Sequence, residues 1–151
     1  MGSYTQGIFK PRNPEKYKGN AHNIVYRSSW ELAVLGYLDR HPGVLQYSSE
    51  EVVVPYISPL DNRRHRYFVD FWVKLKGPED QVREVLLEVK PKYQTVEPKK
   101  PSGKTTSKTY IRQVSTYLVN QAKWEAATKY AAGMGMSFQI LTEDDIPVFK
   151  R

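Results

Sequence analysis

The stretch VLLEVKPK, residues 85–92, places a glutamate and a lysine near the end of an apolar run. In a β-strand successive side chains point to opposite faces, so Glu88 and Lys90 share one face with Leu86. The other face is wholly apolar and carries Val85, Leu87 and Val89. The charged pair therefore indicates that a site, and not the packing of a core, decides these two positions.

The stretch RYFVDFWVKL, residues 66–75, predicts the preceding strand, and the Gly-Pro pair in KGPED predicts the turn between them. On this strand Asp70 shares a face with Phe68 and Trp72. If the hairpin turns symmetrically, Asp70 lies directly opposite Glu88. Two like charges facing each other on a half-buried sheet destabilise it, and desolvation raises one of their pKa values. A compensating group is therefore expected.

A divalent cation is the simplest compensation, because carboxylate oxygens, a strand carbonyl and waters suit Mg²⁺ or Mn²⁺. The chain has no cysteine, which excludes thiolate ligands, disulfides and a cysteine nucleophile. Lys90 would then neutralise charge on a substrate or position an attacking water. The alternative is that Asp70, Glu88 and Lys90 form a solvent-facing ladder of salt bridges. The apolar neighbours on that face argue against it, since an idle ion pair is costly there.

The positive charge of the chain is concentrated in three clusters. The net charge is +7 and the pI is near 9.5, which favours a polyanionic partner. Residues 1–30 contain five Lys or Arg and one Glu, and residues 90–112 contain seven and one. The third cluster is RRHR, Arg63 to Arg66. Any one cluster could be a solvated surface, but together they favour nucleic acid as the partner.

The order of the predicted elements is helix, three strands, helix, strand. SSWELAVLGYLDRHPG predicts an amphipathic helix that Pro42 and Gly43 stop, and a second helix is expected from Lys108 to Ala132, with an apolar stripe. That stripe comprises Ile111, Val114, Leu118 and Ala122. EEVVVPYI predicts the first strand and MSFQILTEDDI the last. This order predicts an α/β fold with helices packed on a mixed sheet.

One domain is expected over residues 24–151, preceded by a basic arm over 1–23 that is laid on the surface or loose. The loop at 91–107 has few apolar residues and is expected to be mobile. No apolar segment is long enough for a secretory signal or a membrane span, so a soluble protein that is not exported is expected.

An Asp followed some eighteen residues later by Glu-x-Lys resembles the active-site motif of the PD-(D/E)XK nuclease superfamily, with Val69 standing where the pattern has Pro. The wider stretches YRSSWELAVLGYLDRHPGV, RYFVDFWVK, EVLLEVKPK, TYLVNQAKWEAA and FQILTEDDI resemble the phage head-completion nuclease family, relatives of the endonuclease subunit of Tn7-type transposition. The resemblance implies a restriction-endonuclease-like fold. It also implies that Asp70 and Glu88 bind the metal, that Lys90 is catalytic, and that Glu31 is a further acidic member. Ser28 and Glu31 also match a helix capping box, which by itself would explain this glutamate.

The resemblance further implies a Mg²⁺-dependent endonuclease that processes packaged double-stranded DNA before a tail joins the filled head. Such a protein would be found in the phage head or neck, or in the cytoplasm of the infected host cell, with portal or neck proteins as possible partners and no membrane association. The alternative is a structural head or neck component that binds DNA or portal proteins. A transposition endonuclease would be expected to carry a further DNA-binding domain.

The residues expected to hold the DNA backbone come from the basic loop and from the RRHR cluster. The lysines of the loop have a simpler alternative role, which is to keep a linker soluble. The full set is Arg63, Arg64, Arg66, Lys92, Lys99, Lys100 and Lys104.

Overall fold

A four-stranded mixed sheet between two helices forms the centre of the fold. The computed structural model describes residues 6–101 and 107–145. Its strands are β1 (Gly7–Phe9), β2 (Ile24–Tyr26), β3 (Val44–Ser49), β4 (Val53–Ile57), β5 (Arg64–Phe68), β6 (Phe71–Lys76), β7 (Val82–Val89) and β8 (Ser137–Leu141). Its helices are α1 (Ser29–Arg40) and α2 (Lys108–Gly133), with short 3₁₀ turns at Pro14–Lys16, Pro78–Asp80 and Lys92–Thr95. Neither helix is long and apolar enough, over the described residues, to cross a lipid bilayer.

The central sheet has the strand order β3-β6-β7-β8, with β8 parallel to β7 and the other neighbours antiparallel. Helix α2 connects the two parallel strands. Two small antiparallel pairs, β1 with β2 and β4 with β5, complete the structure. The predicted α/β class is confirmed, and the arrangement fits a restriction-endonuclease-like fold.

Both faces of the central sheet are buried, because one helix packs on each. Leu35 of α1 is completely buried in one apolar cluster. The same cluster contains Val85, Leu87 and Val89, which lie on the face of β7 that α1 covers. Leu86 is completely buried in the opposite cluster, together with Trp124 of α2. Glu88 lies on this second face. Glu88 is thus a charged residue within a strand that is covered on both sides, and Lys90 follows the end of that strand.

The first helix forms as predicted, but the buried face of the second helix is different. Ser28 caps α1, its hydroxyl accepting the N–H of Glu31 at 3.1 Å. In α2 the predicted stripe is wrong, since Ile111 and Leu118 are exposed. The residues that are buried instead are Asn120, Trp124, Ala127 and Ala131. The second half of α2 packs on the sheet. The apolar stripe in the first half is not covered to the same extent, so Ile111 and Leu118 stay exposed.

The stretch predicted as one strand, 66–75, divides at Val69 and Asp70 between β5 and β6. Its two halves belong to different sheets, so the alternation of faces does not continue across the break. The prediction that Phe68 shares the face of Asp70 is therefore wrong, and its ring is 46% exposed. The predicted strand EEVVVPYI forms β4 but pairs only with β5, and the pair formed by β1 and β2, together with β3, was not predicted.

The N-terminal segment packs on the domain through hydrogen bonds to the end of α1. The Asp39 carboxylate is 2% exposed and accepts the N–H of Arg12 at 2.9 Å and the hydroxyl of Tyr47 at 3.0 Å. The Lys16 ammonium donates to the carbonyl oxygens of Leu38 and Asp39, both at 2.8 Å, which satisfies the last turn of the helix. The described part of the predicted arm is therefore attached to the core.

Asp39→Ala is expected to lower the free energy of unfolding by about 3 kcal/mol, because it leaves the buried Tyr47 hydroxyl without its acceptor. Urea denaturation measures this loss. Asp80→Ala is the control, since the Asp80 side chain is 85% exposed. Equal losses in the two variants would show that Asp39 does not hold the segment.

Candidate active site

Asp70 lies where the chain passes from the β4–β5 pair into the central sheet. Its Oδ2 accepts the N–H of Val89 at 2.8 Å, which fixes the carboxylate at the end of β7. Its backbone carbonyl accepts the N–H of Glu50 at 3.1 Å, and the N–H of Val69 is bound by the carbonyl of Val52 at 3.0 Å. The main-chain N–H groups of Val89 and Glu50 thus hold Asp70 directly, and the bond to Val52 holds the residue before it.

The register of the β6–β7 hairpin is the symmetric one that the sequence predicts. Phe71 pairs with Leu87 and Trp72 with Leu86, which sets Asp70 and Glu88 opposite each other just beyond the last pair. Glu88 is 4% exposed, and its Oε2 accepts the indole N–H of Trp124 at 3.4 Å. The structure therefore brings the two carboxylates together.

The carboxyl group of Asp70 is strongly perturbed by its surroundings. Burial raises its pKa well above the ordinary value, the charge of Glu88 raises it further, and the hydrogen bond from Val89 opposes the change. The carboxylate pair lacks a neighbouring positive charge close enough to compensate it: among the described residues no ion pair within 4.0 Å reaches Asp70 or Glu88. A solvent-facing ladder of salt bridges is therefore not what the fold forms here.

Lys90 follows β7 directly, and its backbone N–H donates to the carbonyl of Leu141 at 3.0 Å. Its side chain is partly buried. This hydrogen bond to β8 fixes the backbone of Lys90, two residues beyond Glu88, at the end of the sheet.

Glu31 also lies at this end of the structure. Burial raises the pKa of its carboxyl group, the N–H of Arg27 lowers it, and the charges of Glu50 and Glu88 raise it. Its Oε1 accepts the N–H of Arg27 at 3.4 Å, so the side chain does contribute to the start of α1. Glu31 thus contributes to the start of α1 and also senses the charge of Glu88, and its role in the site stays a prediction.

Three residues near the carboxylate pair were not found by sequence reasoning: Glu50, Tyr67 and Trp124. Glu50 follows β3, a strand that the sequence did not reveal, and it forms a salt bridge with Arg27 at 3.1 Å. The Tyr67 hydroxyl is buried, and within the described residues it has no hydrogen-bond partner of good geometry. Its pKa is raised by burial and then by the charges of Glu88 and Asp70. Only the periodicity of α2, read with the correct face, would have pointed to Trp124.

The donors around Asp70 and Glu88 fit a hard divalent cation better than any other metal. They are carboxylate oxygens, and Asp70 uses one of its two oxygens for Val89, which leaves the other available. Three or more carboxylate or imidazole groups do not converge in a complete binding set anywhere in the described ranges. A cation here would therefore need backbone carbonyls and waters as its remaining ligands, as Mg²⁺ commonly does.

The residues predicted to hold DNA lie on two separate segments. Arg64 and Arg66 project from the outer face of the β4–β5 pair, where the guanidinium of Arg66 lies 5.4 Å from the ring of Phe68. Lys92 is engaged by Asp144 at 2.8 Å. The other predicted residues are Arg63, Lys99 and Lys100, which are exposed, and Lys104, which lies outside the described residues.

A mixed sheet with one helix on each face and adjacent carboxylates at a strand end defines an α/β domain of the restriction-endonuclease-like kind. Residues 41–143 match the family described as TnsA-like endonuclease N terminal, and the chain belongs to that family. It is 37% identical over 142 residues to the head completion nuclease of Enterobacteria phage T4, an alignment that covers 93% of this chain and 92% of that protein. The predicted resemblance is confirmed. Asp70, Glu88 and Lys90 lie within residues 41–143, which the family model matches, and Glu31 lies before that range.

Asp70→Asn is expected to flatten the pH dependence of stability in metal-free buffer. The folded pKa of Asp70 is raised, so its contribution is complete below its unfolded pKa of about 3.9 and is lost as the pH rises through the folded value. Thermal unfolding from about pH 5 to about pH 8 should show the wild type losing stability and the variant losing less. Asp80→Asn should retain the wild-type slope. Equal slopes for the wild type and Asp70→Asn would contradict the assignment.

Proposed function

We propose that this protein is a Mg²⁺- or Mn²⁺-dependent endonuclease that cuts double-stranded DNA. The observation that carries the proposal is the pair Asp70 and Glu88, which the register sets opposite each other in a largely buried setting. Within residues 6–101 and 107–145, neither carboxylate forms an ion pair within 4.0 Å. Membership of an endonuclease family and the likeness to a phage nuclease support the same conclusion. A buried pair of this kind is costly for the fold, so a role in binding a cation gives a reason for its presence.

Asp70 and Glu88 would hold the cation, each already oriented by a donor. The Val89 N–H fixes one oxygen of Asp70, and the Trp124 indole fixes one oxygen of Glu88. A bound Mg²⁺ would supply a water of lowered pKa and would neutralise charge on the phosphate. Trp124 and Tyr67 exclude water from the inner side of the pair, which strengthens the electrostatic interactions there.

Lys90 would bind the scissile phosphate from the side where the chain leaves the sheet. Its ammonium group would stabilise the charge that builds up on the phosphate oxygens during displacement. Glu31 would lie at the edge of the site, where its side chain would assist in orienting the attacking water. The assignment of Lys90 rests on its place directly after β7, and that of Glu31 on the effect of the Glu88 charge on its carboxyl group.

The DNA backbone would be held along the β4–β5 pair. Its five-residue strands extend about 17 Å from Asp70, and the outer face presents arginines without an acidic partner within 4.0 Å among the described residues. Lys99 and Lys100 would add contacts from the opposite segment. Contacts of this kind hold phosphates without reading bases, so cleavage would depend on DNA structure or position and not on sequence.

The biological setting that we propose is the completion of a filled phage head. The similar protein from phage T4 is a head completion nuclease. By analogy this chain would act on packaged DNA before tail joining, in the virion or in the host cytoplasm, with portal or neck proteins as partners. Co-purification with heads that lack tails would test this setting.

Glu88→Gln and Lys90→Gln are both expected to abolish most cleavage of plasmid DNA in Mg²⁺, but for different reasons. The first removes a metal ligand, whereas the second removes a charge that acts on the substrate. Calorimetric titration with Mn²⁺ separates them, because only Glu88→Gln should lose metal binding. Lys76→Gln, a surface change near the β6–β7 turn, is the control. Unchanged turnover in Lys90→Gln would remove this lysine from the mechanism.

The double variant Arg64→Gln with Arg66→Gln is expected to weaken binding to all DNA sequences alike. Each lost phosphate contact should reduce the slope of log K against log salt by about 0.9. The matched control is Arg40→Gln with Arg83→Gln, two exposed arginines away from the β4–β5 pair. If the two double variants show the same slope, the β4–β5 pair is not the DNA-binding surface.

A further inference from the structure

A groove of about 490 Å³ lies between the segment that follows Lys90 and the first half of α2. The short 3₁₀ turn Lys92–Thr95 forms the start of one wall. The lining residues that matter here are Tyr93, Val96, Lys99, Arg112, Tyr117 and Asn120. This volume suits a small ligand or a short stretch of an extended chain.

Asn120 places an unpaired hydrogen-bond donor in the lining of this groove. The residue is 5% exposed, and its Nδ2 has no partner in the described part of the chain. A buried amide without a partner costs free energy, which a ligand oxygen or ring nitrogen would recover. The lining of the groove therefore includes a buried amide donor that the packing of α2 leaves without a partner among the described residues.

The remaining lining combines aromatic rings with positive charge. Tyr93 is 68% exposed, and its hydroxyl accepts an N–H of the Gln94 side chain at 3.0 Å. Lys99 and Arg112 are exposed and take part in no ion pair within 4.0 Å among the described residues. Glu97 is the acidic group among the lining residues. Aromatic faces beside basic groups are the features with which proteins bind single-stranded nucleic acid.

The groove adjoins the carboxylate pair on two sides. Asn120 lies one helical turn before Trp124, so their Cβ atoms are about 6 Å apart, and Trp124 contacts Glu88. Along the other wall, Lys92 begins the 3₁₀ turn two residues after Lys90. A DNA strand that leaves the proposed cleavage site would therefore meet this groove next.

We propose that the groove binds one or two unpaired nucleotides next to the cleavage site, so that the preferred substrate is DNA with a single-stranded or frayed end. The proposal rests on the proposed endonuclease function. Tyr93 stacks on a base, Lys99 and Arg112 contact the adjacent phosphates, and Asn120 donates to the base. A paired duplex presents neither a free base face nor a free base edge to such a groove.

Fluorescence anisotropy in metal-free buffer, where DNA is not cut, tests the proposal with three labelled probes. They are a blunt duplex, the same duplex with a short unpaired tail, and the tailed duplex with abasic sites in the tail. The wild type should bind the normal tail most tightly. Tyr93→Ser should reduce that preference about fivefold or more, because stacking on an aromatic ring is lost. Asn120→Leu, which keeps the side-chain size, should also reduce the preference.

Tyr37→Ser is the matched control, since Tyr37 is an exposed tyrosine of α1 on the other face of the sheet. It should leave the binding of all three probes unchanged. Equal affinity of the wild type for blunt and tailed duplexes would overturn the proposal and would assign the groove to another occupant, such as a peptide. Equal affinity for normal and abasic tails would also overturn it, because charge alone would then explain the preference.

Plasmid cleavage by the wild type in Mg²⁺ is measured in parallel. Cleavage together with equal binding of blunt and tailed probes rejects the groove assignment and leaves the endonuclease proposal intact. A tail preference that Tyr93→Ser removes, without any cleavage, supports the groove and rejects the endonuclease proposal. The two failures are therefore distinguishable.

Discussion

The hydrogen bond from the Val89 N–H to Asp70 Oδ2 ties the start of β6 to the end of β7. It acts at the place where the chain passes from the small β4–β5 sheet into the central sheet, so it holds the Asp70 carboxylate beside the end of β7. Glu88 then has no freedom to move away from Asp70, because β7 is paired on both sides. The geometry of the site is in this way a consequence of the geometry of the sheet.

The geometry of the sheet brings the carboxyl groups of Asp70 and Glu88 together in a buried environment, where two negative charges repel each other. Burial and mutual repulsion raise the pKa of Asp70, and the nearest lysine along the chain, Lys90, forms no ion pair with either carboxylate among the described residues. The pair costs stability that the two apolar clusters on either side of the sheet must offset. The proposed cation would offset that cost, and its binding would then stabilise the folded protein.

The two segments outside the central sheet share a chemical character. The outer face of the β4–β5 pair carries arginines beside exposed apolar side chains such as Phe68 and Ile57. The groove beside the first half of α2 carries Lys99 and Arg112 beside exposed tyrosine. Both segments begin next to a carboxylate of the site, since β5 ends two residues before Asp70 and the groove wall begins after Lys90. In the proposed complex the duplex would lie along the β4–β5 pair, and its unpaired end would enter the groove.

The sequence by itself determined the α/β class, the helix α1 with its cap, and the opposition of Asp70 and Glu88. These depend on local patterns: alternation in β7, the spacing of caps, and a hairpin short enough for symmetry to fix its register. The tertiary structure alone decided which face of α2 is buried and where the strand 66–75 breaks, because both depend on contacts with residues distant in the chain. For the same reason Tyr67, Trp124 and Asn120 were not identified from the sequence: their surroundings come from the packing of α2 and of the β4–β5 pair on the sheet, which joins residues distant in the chain.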